Sequence, residues 1–154
     1  MKMNTLVYAV MVLSVICCKQ ARNGSATTHE NLIENRLAVF VDSCWNQKDM
    51  EKLSSITTQN FTRNLNGIDV VSSELEMQAH MNVFFRAFPD LILTMDDTFI
   101  KDSVVFTHWE VDGTNTGIFA EAPATGKKIK ISGLSLIYFN KENLQEMPRF
   151  RSHT

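Results

Sequence analysis

Ser103-Val104-Val105-Phe106-Thr107-His108-Trp109-Glu110-Val111 and Lys128-Ile129-Lys130-Ile131-Ser132-Gly133-Leu134-Ser135-Leu136-Ile137-Tyr138-Phe139 decide the fold class. Both stretches are dense in β-branched and aromatic side chains, which suit a pleated, half-buried surface. In the second, Ile129, Ile131, Ser135, Ile137 and Phe139 fall on one register and Leu134, Leu136 and Tyr138 on the other. Alternate residues of a strand face opposite sides, so apolar residues on both registers imply that both faces of the sheet are covered. Between the stretches, Asp112-Gly113 suits a bend. Ile118 and Phe119 sit in a loop ending at Pro123, and Ala124-Thr125-Gly126-Lys127 reads as a turn. Upstream, Leu91 to Met95 is a short apolar strand. Asp96 and Asp97 interrupt it, Thr98 to Ile100 continue it past a bulge, and Lys101-Asp102 turn the chain.

Helical signals precede the strands. Thr27 and Glu30 have capping-box spacing, and Ile33, Leu37, Phe40, Val41 and Cys44 recur with a helical period, with Trp45 at the end. Asp49 is placed to cap a short helix carrying Met50, Leu53 and Ile56. Phe61 and Leu65 face inward on a short strand that turns at Asn66-Gly67. Ser73 and Glu76 form a second capping box. The following helix carries Leu75, Met77, Ala79, Met81, Phe84, Phe85 and Phe88, a band broad enough to predict a well-covered helix. Pro89 ends it, because proline disfavours helix in the residue before it. Helices followed by hairpin-linked strands predict an α+β fold with a curved antiparallel sheet.

The chain has 154 residues, a net charge of −2 and 44% apolar residues, enough for one domain with a real core. Near-neutral charge argues against a nucleic-acid partner, which demands clustered cations. Lys127, Lys128 and Lys130 are the only close basic group and suit a solvated turn. Lys2 followed by the apolar run Leu6 to Ile16 has the form of a secretory signal and falls short of the about 20 residues of a spanning helix. The run ends at Cys17-Cys18 and turns polar, as in bacterial lipoproteins. Cys18 is the favoured lipidation site, and an ordinary cleaved signal with incidental cysteines is the alternative. Either reading predicts an exported protein: an envelope lipoprotein, a periplasmic or a secreted one. The only membrane contact foreseen is the lipid anchor. Cys44, the third cysteine, sits on an apolar helical face and is expected to pack as a small hydrophobe.

The order of several short motifs resembles the SnoaL-like polyketide cyclases and ester cyclases of the nuclear transport factor 2-like superfamily. Ala87-Phe88-Pro89-Asp90-Leu91 closes a helix. His108-Trp109 ends a strand, followed by Gly113-Thr114-Asn115-Thr116-Gly117 and Phe119. Pro123-Ala124-Thr125-Gly126-Lys127 leads into a strand through Ile131, Gly133 and Leu134. The resemblance runs from Phe40 to about Glu146. It implies a cone in which a bent sheet wraps a cavity closed by N-terminal helices, and homodimers formed across the sheet's outer face. The expected divisions are a leader at 1–18, a polar tether at 19–28, the domain at 29–146 and an atypical tail at 147–154.

The same resemblance implies aldol-type ring closure by a carboxylate that takes and returns a proton. This chain departs from that pattern. Asn115 stands where relatives carry histidine; it can donate a hydrogen bond but cannot shuttle protons. Asn143-Leu144-Gln145-Glu146 partly matches the family's turn, yet Pro148 follows and no Asp or Glu occurs after Glu146. The last strand and its catalytic aspartate are therefore expected to be missing. Asn115 and His80 remain as the candidate catalytic residues, and Trp109, Phe84, Phe88 and Phe119 as the substrate-binding ones. His108 is expected on the outer face, with Glu110 and Asp112 on a solvated hairpin end. No cofactor or metal pattern is present. Three functions follow: altered acid–base chemistry on a small carbonyl compound, non-catalytic binding of a small apolar molecule in the envelope, or a truncated or frameshifted relative of an active enzyme.

Overall fold

The computed structural model describes residues 23–58, 61–140 and 143–145, with side chains from residue 28 to 140 apart from 59 and 60. The leader, Cys18 and the tail from 146 lie outside the described residues.

Helix α1, Asn23–Ala38, begins a turn before the Thr27–Glu30 spacing predicts. Ser, Thr and Asn cost only about 0.5 kcal/mol each in a helix, so a nucleated helix extends through them cheaply. The helix continues into wide π-type turns, Val39–Asn46, closed by the Gln47 amide donating to the Asp42 carbonyl at 2.9 Å. The wider turn buries the adjacent Cys44 and Trp45 together. A 3₁₀ turn, Met50–Lys52, leads into α2, Leu53–Ile56; Asp49 sits at its N-cap position but makes no side-chain capping bond. Leu53 and Ile56 are nonetheless fully buried, so packing holds this short element.

Strands β1, Arg63–Leu65, and β2, Ile68–Val71, pair as an antiparallel hairpin. Asn66 and Gly67 have φ of 51° and 88°, the left-handed pair that a tight hairpin requires. Helix α3, Glu74–Ala87, starts with the expected capping box. Ser73 Oγ accepts from the Glu76 amide at 3.2 Å, and the Glu76 carboxylate accepts from the Ser72 amide at 2.7 Å. Its apolar band is covered on one side only. Met77, Met81 and Ala87 are buried, whereas Leu75 and Val83 face solvent.

Strands β3, Ile92–Lys101, β4, Val104–Thr114, and β5, Lys128–Asn140, form an antiparallel sheet, with a short β6, Asn143–Gln145, beside β5. The bulge in β3 lies between Asp96 and Phe99, with Asp97 at φ 42°. Thr107 from β4 secures it: its buried hydroxyl meets Thr98 Oγ1 at 2.8 Å and the Asp96 carbonyl at 3.2 Å. Such a bulge bends the strand and increases the local twist. Asp112-Gly113 makes no bend; β4 runs on to Thr114. Asp90 explains this, because its carboxylate accepts from the Thr114 amide and hydroxyl, both at 2.6 Å, and holds that end extended. Asn143–Gln145, expected as a turn, is strand β6. It pairs with Tyr138–Asn140 alone, so residues 128–137 of β5 have no strand on that side among the described residues.

The core lies between the helices and one face of the sheet. Ile33, Cys44, Leu53, Ile56, Met81 and Val105 are inaccessible to solvent, each large aliphatic among them contributing about 1.5–3 kcal/mol on burial. Asn46 fastens the two layers. Its amide donates to the Leu93 carbonyl at 3.0 Å and accepts from the Leu93 amide at 2.8 Å.

Candidate functional site

The inward register of the sheet does not close fully against the helices. It leaves a cavity of about 270 Å³. The sheet supplies Leu93, Met95, Trp109, Val111, Ile129 and Ile137. The opposite wall is Phe40, Trp45, Met77, Phe84, Phe61 and Arg63. Ile131 lines the cavity and is 48% exposed, which places an opening beside the stretch of β5 that no described strand pairs on that side. A second, shallower groove between α1 and β3 is bordered by Glu34, Asp42 and Thr94.

The helical wall is a run of edge-on aromatic contacts. Trp45 meets Phe40 at 6.3 Å, Phe84 at 6.1 Å and Phe85 at 5.7 Å between ring centroids. These distances fall in the favourable range for such pairs. Phe119 packs on Phe84 at 5.4 Å and Phe88 at 5.5 Å. Trp109 and Phe84 therefore line the cavity. Phe88 and Phe119 are not among the lining residues; Phe119 packs on Phe84 and is itself packed on by Phe88.

Trp109 owes its place to Gly133, its partner across the β4–β5 ladder. A Cβ at residue 133 would lie 2.5 Å from Cζ2 of the indole. The ring lies flat across the strand where a side chain would otherwise stand.

Asn115 is 7% exposed and does not line the cavity. Its Nδ2 donates to the Gly117 carbonyl at 2.8 Å and the Ala87 carbonyl at 3.3 Å, while Oδ1 accepts from the Thr125 amide at 2.8 Å and hydroxyl at 3.0 Å. Every polar atom of the amide is thus occupied in tying the end of α3 to the two loops, which gives it a positioning part away from any cavity ligand.

His80 is half-buried beside Phe84, and its Nε2 is 2.7 Å from a guanidinium nitrogen of Arg63. Arginine can only donate, so Nε2 accepts and the ring proton of the neutral tautomer sits on Nδ1. Burial, reinforced by the Arg63 charge, lowers the His80 pKa from 6.5. Its basic nitrogen is engaged and weakened together, which suits holding Arg63 better than abstracting a proton. The unfolded chain therefore takes up this proton more readily than the folded one. Stability at this site is full above about pH 6.5 and falls as the pH drops from there toward the lowered folded value. Chemical denaturation should show a smaller loss between pH 7.5 and 5.5 for His80→Gln than for the unaltered protein.

Arg63 was not foreseen as a site residue. The alternation Phe61, Arg63, Leu65 carried the signal, since it puts Arg63 on the face of two inward apolar residues. His108 is on the outer face, paired with Asp96 at 2.6 Å, and Glu110 there pairs with Lys130 at 2.6 Å. Cys44 is buried, and burial followed by the nearby Asp49 charge pushes its thiol up to about 11, leaving it protonated and inert at neutral pH. Among the described residues, no three His, Cys, Asp or Glu side chains gather to hold a metal ion.

Residues 35–147 match the family described as SnoaL-like polyketide cyclase. A search of curated proteins gave no match. Among solved structures, TsrD from Streptomyces laurentii is 17% identical with a TM-score of 0.65, covering 82% of this chain and 86% of its own. A SnoaL-like polyketide cyclase from Agrobacterium tumefaciens is 15% identical with a TM-score of 0.61, covering 73% of this chain and 85% of its own. At such identities the likeness establishes the shared fold, that of nuclear transport factor 2-like proteins. With the family match over most of its length and the bent sheet closed by helices, the chain is a member of the SnoaL-like polyketide cyclase family.

Proposed function

We propose that the cavity binds a small apolar or carbonyl-containing molecule, and that binding rather than family-type ring closure is its principal activity. One observation carries this reading: an aromatic-walled cavity of about 270 Å³ in which, among the described residues, no Asp or Glu lines the wall. Family-type chemistry calls for a carboxylate at the reacting carbon, and His80 is a poor replacement for the reasons above. A volume near the lower end of the usual range for ligand sites favours a molecule of one or two rings. Isothermal titration with 2-naphthylmethanol tests the reading. Saturable one-to-one binding is expected, weakened about tenfold in Trp109→Ala, which removes one broad wall. Absence of binding, or equal binding by that variant, would sink it.

Two companions to this reading rest on separate features. Phe99, Phe106 and Leu134 are 66%, 39% and 64% exposed on the outward register of the sheet, a patch suited to a second copy of the chain. Sedimentation should show a dimer that Phe106→Glu dissociates; a monomeric parent protein rejects this. The apolar run Leu6 to Ile16 and the cysteines after it support export, with lipid on Cys18. Mass spectrometry of the mature N-terminus tests that, and an intact Met1 would rule it out.

A further inference from the structure

We propose that Arg63, held in place by His80, is an anion-binding subsite in the cavity wall, so that the ligand carries an anionic oxygen, a carboxylate or an enolate, on its apolar body. The inference rests on the cavity being a ligand site and names the class of ligand.

Arg63 enters the cavity from β1, flanked at alternate positions by Phe61 and Leu65. Partial burial pushes its pKa down, yet a guanidinium starts so high that it keeps its charge. A partly desolvated cation ordinarily has a counter-charge, because an unpaired one is costly to remove from water. Among the described residues Arg63 has none. Among the described residues, the close acid–base contacts of His108 with Asp96 and of Lys130 with Glu110 lie on the outer face, and the side-chain partner of Arg63 is His80.

The geometry explains what His80 does. A guanidinium has five N–H donors in a fixed fork. His80 accepts one through Nε2 and is itself steadied by Phe84, 5.1 Å away between centroids. The side chain is thereby oriented with donors to spare. A planar fork of that kind matches a carboxylate in bidentate fashion, and the apolar surroundings strengthen the attraction. The aromatic walls then receive the ligand's rings while Arg63 fixes its charged end.

Titration calorimetry should compare 2-naphthoate with 2-naphthylmethanol, which share their rings and differ in charge. The unaltered protein is expected to prefer the carboxylate by about tenfold or more, the value of a charge-assisted hydrogen bond. In Arg63→Gln the preference should collapse toward one, and Arg63→Lys should keep part of it. Equal affinities in the unaltered protein, or a preference retained in Arg63→Gln, overturn the proposal while leaving the cavity reading intact. Failure of both compounds to bind overturns both. A second readout needs no variant. Arg63 is the charge that faces His80 from β1, and Glu76, one turn earlier on α3, is engaged by the Ser72 amide. A bound carboxylate should therefore raise the His80 pKa, visible in its imidazole resonances across a pH series. An unmoved titration in the presence of saturating 2-naphthoate counts against the subsite.

Discussion

Gly117→Ala is expected to destabilise the protein by about 3 kcal/mol or more, measured as a drop in the denaturant midpoint with the slope unchanged. A Cβ there would lie 2.0 Å from the Arg86 carbonyl oxygen and 2.9 Å from its carbon. Those are main-chain atoms at the end of α3 and cannot swing aside. Yielding would have to come from the loop, and the loop is held. The Thr116 and Gly117 amides both donate to the Ala87 carbonyl, at 3.0 and 3.1 Å, and the Asn115 side chain reaches the same oxygen. Moving residue 117 outward forfeits these bonds, each worth about 1 kcal/mol. Gly126 is the control. It has φ +68° but open space around its Cβ position, so alanine there should cost about 1 kcal/mol of backbone strain alone. A Gly117→Ala protein as stable as the Gly126→Ala one would show that the clasp is not rigid.

Gly133→Ala should have the second large effect, on the cavity rather than on the fold. The new methyl would meet the indole of Trp109 at 2.5, 2.9 and 3.2 Å. An indole is rigid, so the whole ring must tilt, and the cavity lies on its other side. The expected outcome is an altered near-ultraviolet circular dichroism, a loss of about tenfold in affinity for 2-naphthylmethanol, and a stability change of about 1–3 kcal/mol. Restoring space by Trp109→Phe in the same protein should recover stability before it recovers binding. Unchanged binding in Gly133→Ala would mean that Trp109 has room to retreat and does not shape the cavity.

Much of the fold was legible because its signals are local. Asn66-Gly67 dictates a hairpin, Ser73 with Glu76 a helix start, and Pro89 a helix stop, whatever surrounds them. The alternation along β5 was equally plain. The bulge in β3 followed from two aspartates in an apolar strand, although Thr107, which secures it from β4, could not be paired with it from sequence. The wide turns at Val39–Asn46 were not legible, since a π-type turn and an α-helix differ little in residue preference and are separated by packing.

The site was harder to read than the fold. Trp109 and Phe84 could be named because bulk and apolarity already suggest a wall. For Asn115 the motif gives the position but not the surroundings: the Gly-Thr-Asn-Thr-Gly loop folds back on α3, and its amide is engaged there. Arg63 is easily passed over, because the alternation that carries its signal is short and its partner His80 lies on a different element.

Strand β5 carries two independent messages on alternate residues. Ile129, Ile131 and Ile137 face the cavity, while Leu134 lies on the opposite side and is open to solvent. Point changes at neighbouring positions should therefore alter ligand choice and self-association separately. Loss of a single residue from the middle of the strand would do something different in kind. Beyond that point every side chain would change sides, handing the inward set to solvent and the outward set to the ligand. Diversification within this strand is thus confined to substitution, and length changes are tolerable only in the loops at its ends.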